Sequence, residues 1–159
     1  MTSTHFSTFY TNLINNLTLS QALDEHYKIN PQFTPWYNFD QVEVRNLIKS
    51  HDISHLIFGC DTSYMGEFMV QTWNSFGSDT NINPKDSFKY LTNKNLRSLV
   101  LPTNLFGYAI THILEFIKIR KLIKKQSKLM TKKWQYFEEE LYINKTINQI
   151  RLEYGIVTL

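Results

Sequence analysis

Apolar residues recur at spacings of three and four along most of this chain, and only five glycines and four prolines are present to interrupt them. β-Branched residues nowhere alternate with polar ones over a long run, so the pattern belongs to helices rather than strands. The predicted fold is all-α. At 159 residues, 42% of them hydrophobic, the chain can bury one core and does not need two, so residues 1–159 read as a single helical domain.

Phe6, Phe9, Tyr10, Leu13, Ile14 and Leu17 share one face of an opening helix over Thr4–Leu17, and Thr18–Tyr27 reads as a short second element. Pro31 and Pro35, with Phe33, Trp36, Tyr37 and Phe39, predict an ordered aromatic loop. Asp40 is a suitable N-cap for a helix from Gln41 to about Phe58. Gly59 then supplies a left-handed stop, and Thr62 or Ser63 can cap a helix over Tyr64–Phe76. So short a connection makes the two helices antiparallel neighbours. Beyond a polar loop at Gly77–Asp86 come a short amphipathic piece, Phe88–Leu101, and a long helix from Asn104 to about Leu129. Lys132–Tyr154 reads as one or two further helices with Glu138, Glu139 and Glu140 on an exposed face.

The single cysteine, Cys60, rules out an internal disulfide framework and a thiolate metal cluster, so any metal must be held by nitrogen and oxygen donors. Met1–Tyr10 has neither a basic start followed by an apolar stretch nor the arginines of a transit peptide, and the expected location is cytoplasmic. Leu99–Ile117 is the most apolar stretch, but Pro102, Asn104, His112 and Glu115 interrupt it, and no transmembrane helix is expected.

Helical geometry turns each residue by about 100°, so His51, Asp52 and His55 fall within roughly one third of the circumference. Two imidazoles one turn apart can share a cation, and an adjacent carboxylate favours a divalent one. Glu67, near the start of the antiparallel helix, could point back at them, with Gly66 allowing close backbone approach. Spacing alone equally fits a partly buried hydrogen-bonding face. A His-Asp pair also serves metal-dependent phosphohydrolases, but His5, His26 and Asp61 do not supply the further ligands those enzymes need.

His51-Asp52-x-x-His55, eleven residues, then Glu67, with Gly59, Thr62 and Gly66 between, resembles the signature of the coenzyme Q (ubiquinone) biosynthesis family known as Coq-four. Trp134 and the tail Ile150-Arg151-Leu152-Glu153-Tyr154-Gly155-Ile156 are similar to that family's C-terminal end. The resemblance implies a helical bundle with a metal held by His51, Asp52, His55 and Glu67 beside an apolar cavity for a polyprenyl chain. It also implies a role in ubiquinone ring modification: either oxidative decarboxylation of a polyprenyl-hydroxybenzoate lipid, or a non-catalytic lipid-binding scaffold that organises the pathway's other proteins. A homodimer is the expected assembly.

The donor set suits zinc first, with iron, manganese or magnesium as alternatives. Leu105, Phe106, Tyr108, Ala109, Ile110, Ile113, Leu114 and Ile117 are candidates to line a prenyl channel, with ordinary core packing as the competing explanation. Lys118, Arg120, Lys121, Lys124, Lys125 and Lys128 follow one another without an acid, which suits an anionic membrane surface or a solvated face and would make the protein peripheral on the inner face of a membrane. No groove-reading motif or stacking aromatic accompanies these cations, and no nucleic-acid partner is expected. The chain also lacks a G-x-G-x-x-G dinucleotide fingerprint.

Overall fold

Thr18 and Gln21 cap the first described helix reciprocally, each side chain accepting from the other's backbone amide, and this sets the start of α1 (Leu19–Ile29). Thr146 and Gln149 repeat the device at the start of α5 (Ile147–Tyr154), and an antiparallel bridge joins Thr18 to Thr146. Between them lie α2 (Val42–Phe58), α3 (Tyr64–Gly77) and α4 (Ile113–Ser127). This is a computed structural model that describes residues 14–80, 107 and 110–159. The all-α expectation holds, the described strands being the two-residue pieces β1 (Ser78–Asp79) and β2 (Trp134–Gln135), which pair in parallel.

The centre of the fold is α2, buried continuously from Leu47 to Phe58. A helix buried on every side needs neighbours on every side. α1, α3, α5 and the 3-10 turn Trp36–Asn38 supply them. Phe58 stacks on Trp73 of α3 with ring centroids 4.8 Å apart, and Ile53, Leu56, Ile57, Ile147, Ile150 and Tyr154 complete the core around it. Arg151 reaches in from α5 and donates Nε to the Ile57 carbonyl (2.9 Å), Nη2 to that of Leu56 (2.7 Å) and Nη1 to Asn15 Oδ1 (2.5 Å). A cation at the C-terminal end of α2 answers carbonyls that the helix itself leaves open.

Gly59 takes the left-handed conformation at φ 67°, as expected, and ends α2. Helix α3 begins at Ser63, whose hydroxyl accepts from the Gly66 amide. The start of α2 departs from expectation, because Gln41 rather than Asp40 holds the N-cap position, with no side-chain cap bond. Of the C-terminal acids, Glu138 and Glu140 are exposed as expected and Glu139 is not. Glu139 is buried, its carboxylate 3.4 Å from Ser50 Oγ, and Glu140 pairs with the buried Lys49. Ser50 on α2 thus holds Glu139 against the core, while Glu140 reaches Lys49 from an exposed position. Only Ile14–Leu17 of the expected opening helix is described, and Phe88–Leu101 lies outside the described residues.

Candidate metal centre

Each expected ligand owes its place to local structure. His51 and His55 stand one turn apart on α2, and the tight reversal at 59–63 brings the first turn of α3 back against them. That reversal depends on Gly66, since a Cβ there would lie 2.0 Å from the Asp61 carbonyl oxygen. Asp61 in turn accepts from the Ser63 amide (3.0 Å) and hydroxyl (2.5 Å), which locks the turn and sets Glu67 facing the histidines.

Three donors converge as a result. His55 Nε2 lies 3.3 Å from His51 Nε2 and 3.2 Å from Glu67 Oε1, and His51 Nε2 lies 3.3 Å from Glu67 Oε2. All three residues are buried, and they form a group able to hold a metal ion. Donor atoms about 2.0–2.1 Å from a tetrahedral ion stand roughly 3.3 Å from one another, so these separations fit a single small cation. The second nitrogen of His55, Nδ1, faces the carbonyls of Cys60 (3.1 Å) and Asp61 (3.0 Å). In the neutral ring, a backbone carbonyl accepting from Nδ1–H leaves the Nε2 lone pair directed at the cluster, the arrangement found behind metal-ligating histidines. Glu67 Oε2 has no aligned hydrogen-bond donor among the described residues, a buried acceptor that a cation would satisfy.

Asp52 takes a different place. It borders the same cavity, but its Oδ2 accepts from the Tyr27 hydroxyl at 2.5 Å, and Tyr27 accepts in turn from the Trp36 amide at 3.2 Å. The four expected ligands thus separate into a three-donor cluster and a carboxylate held by tyrosine. Burial raises the Asp52 carboxyl above its ordinary range, against the pull of His51 and the Tyr27 hydrogen bond. Burial likewise opposes the charged forms in the cluster. There the Glu67 carboxylate wins, holding His55 up at about 9, while the two histidines keep the Glu67 carboxyl well below the usual carboxylate range.

The donors open onto a cavity of about 240 Å³. His26 of α1 forms one wall, and Phe33, Phe39 and Ile48 form others. Burial, and then the charges of His55 and His51, hold His26 down at about 3, so its imidazole is neutral. Its ring lies 6.0 Å from that of His55 and nearly parallel to Phe33 at 6.3 Å, centroid to centroid. Sequence reasoning left His26 and Tyr27 out of the site. The available signal was the stripe Leu19, Ala22, Leu23, His26, which puts His26 on the buried face of α1.

Of the residues expected to line a prenyl channel, the described ones, Ile110, Ile113, Leu114 and Ile117, do not border this cavity. Ile110, Ile113, Leu114 and Ile117 point outward, because α4 turns Phe116 and Ile123 toward α3 instead. Leu105, Phe106, Tyr108 and Ala109 lie outside the described residues. Of the basic series, Arg120 and Lys124 sit over the Phe76 ring at 4.9 and 5.5 Å, while Lys118, Lys121, Lys125 and Lys128 are exposed. No described helix is long and apolar enough to cross a membrane. No protein-family model, curated protein or solved structure matches the chain.

Proposed function

We propose that this protein binds one divalent cation, zinc foremost, between His51, His55 and Glu67, and uses the site on the ring of a prenylated hydroxybenzoate-type lipid in ubiquinone biosynthesis. The observation that carries the metal reading is the convergence of three buried donors at 3.2–3.3 Å, with Nδ1 of His55 anchored on backbone carbonyls. The pathway rests on the resemblance of the His51-Asp52-x-x-His55 and Glu67 pattern to the Coq-four family, which also extends the proposal to the pathway's other proteins as partners.

A divalent cation there would supply Lewis acidity toward oxygens of a ring substituent. The chain's own residues define what can reach it. A volume of about 240 Å³ suits a ring and its substituents and is too small for a polyprenyl tail as well, so the tail must extend beyond the described cavity. Phe33, Phe39 and Ile48 supply apolar contact for a ring, and Asp52 with Tyr27 presents a polar edge.

A second reading, a structural clamp in a non-catalytic scaffold, is supported by the donors joining α2 to α3. Glu67→Gln separates the two: an enzyme loses turnover and keeps its melting temperature, whereas a clamp loses the stability that metal confers. The first test is metal content by mass spectrometry of untagged protein, wild type against His51→Ala/His55→Ala. About one equivalent in the wild type and none in the variant is expected. Wild type that takes up no zinc, iron, manganese or magnesium refutes the proposal.

A further inference from the structure

Helix α4 has two unlike sides. At about 100° per residue, Phe116, Ile119 and Ile123 fall together, and Phe116 packs on Phe68 of α3 with ring centroids 4.0 Å apart. Leu114 and Ile117 turn away from that side and Ile113 lies at its edge; they are 69%, 44% and 57% exposed, with Ile110 just ahead of the helix at 62%. Four large aliphatic side chains side by side in water are an uncommon use of a surface. Immediately after them, on the same outward half, come Lys118, Lys121, Lys125 and Lys128. The acid on this helix, Glu115, is paired with His112 at 3.1 Å.

We propose that this outward face of α4 docks on a bilayer containing anionic phospholipid, its aliphatic end entering the interface and its lysines lying among the headgroups. The order of the chemistry along the helix selects the partner. A membrane surface offers a negative layer directly beside an apolar one, and an interfacial helix uses both. A second copy of this chain would set either its own lysines or its own isoleucines against these lysines, and neither complements a cation. The proposal stands whether or not the cluster on α2 and α3 binds metal, because no donor of that cluster lies on α4.

The test is co-sedimentation of the full chain with vesicles of phosphatidylcholine alone or mixed with phosphatidylglycerol, at low and raised salt. Wild type should bind the mixed vesicles, and less so as salt rises. Lys121→Gln/Lys125→Gln should weaken that binding roughly thirtyfold, the product of two lysine contributions. Leu114→Ser/Ile117→Ser should weaken it too, while keeping its salt dependence. All four side chains are exposed, so circular dichroism should show both variants folded as wild type. Three results overturn the proposal: no binding to the mixed vesicles, equal binding to both kinds, or a serine variant that binds like wild type. A dimer in sedimentation velocity that Leu114→Ser/Ile117→Ser dissolves would assign the face to a second copy and overturn it as well.

Discussion

Metal uptake at the three-donor cluster should cost one proton. The Nε2 of His55 faces Glu67 Oε1 at 3.2 Å; burial disfavours the imidazolium, but the carboxylate outweighs it and holds His55 up at about 9. At pH 7 that nitrogen therefore carries a proton and donates to Glu67, whereas a cation needs its lone pair. Two pH units below the titration point, the proton competes with metal by a factor of roughly one hundred. The apparent zinc affinity should accordingly rise about tenfold per unit from pH 7 to pH 9 and level off above. Competition against a chromophoric chelator across that range reads the slope, and calorimetry in buffers of different ionisation enthalpy counts the proton. Glu67→Gln supplies the control: without the carboxylate, burial leaves His55 neutral, so binding weakens and its slope between pH 7 and 9 disappears. Zinc binding by wild type with a flat pH profile and no proton release would refute the His55–Glu67 coupling.

Gly66→Ala should lower stability by about 3 kcal/mol, because the new Cβ meets the Asp61 backbone, which cannot step aside; thermal melts check this. Tyr27→Phe removes the donor held 2.5 Å from the buried Asp52 carboxylate and should cost about 1–3 kcal/mol, read by urea unfolding. Arg151→Lys keeps the charge but cannot serve Leu56, Ile57 and Asn15 together, and should lower the melting temperature by several degrees; an unchanged melt would mean the end of α2 is held otherwise. Replacing His51, His55 and Glu67 together by Leu, Leu and Met should abolish metal uptake yet stabilise the metal-free protein by about 1–4 kcal/mol in chemical denaturation. A loss of stability in that variant would assign the cluster a structural role even without metal.

What could be read directly from the residues was local. Histidines four apart on a helix must share a face, Gly59 at the end of an apolar run marks a stop, and a serine four residues later marks a start. Those three facts suffice to bring Glu67 back toward His51 and His55. Distant contacts left no such trace. Tyr27 lies twenty-five positions from Asp52, and nothing in its neighbourhood announces that its hydroxyl will hold that carboxylate. Glu139 looked like part of an acidic surface run because Ser50 is nearly ninety positions away. The aliphatic side chains of α4 misled for a related reason: periodicity reveals a helix with an apolar face, but Phe116 and Ile123 and the outward isoleucines are equally apolar, and only packing against α3 distinguishes them.

The energetics of α2 bear on what its polar residues are for. A helix enclosed on all sides is most cheaply built from aliphatic residues, yet this one buries Lys49, Ser50, His51, Asp52, Ser54 and His55. Most of these are answered within the fold. Ser54 donates to the Ser50 carbonyl at 2.8 Å, Lys49 meets Glu140 and the Trp36 ring, Asp52 takes the Tyr27 hydroxyl, and His55 Nδ1 has two backbone carbonyls. The unanswered demand gathers at one point, where two imidazole nitrogens face each other across 3.3 Å beside a carboxylate oxygen with no aligned donor. Hydrogen bonds elsewhere explain why the polar run is tolerated; they do not explain why its two imidazoles and the Glu67 carboxylate converge. Once His55 gives up its Nε2 proton, a cation drawn from the adjoining cavity would satisfy all three groups at once, and this convergence of ligating atoms, more than the spacing of the histidines, supports reading the site as one built for a ligand.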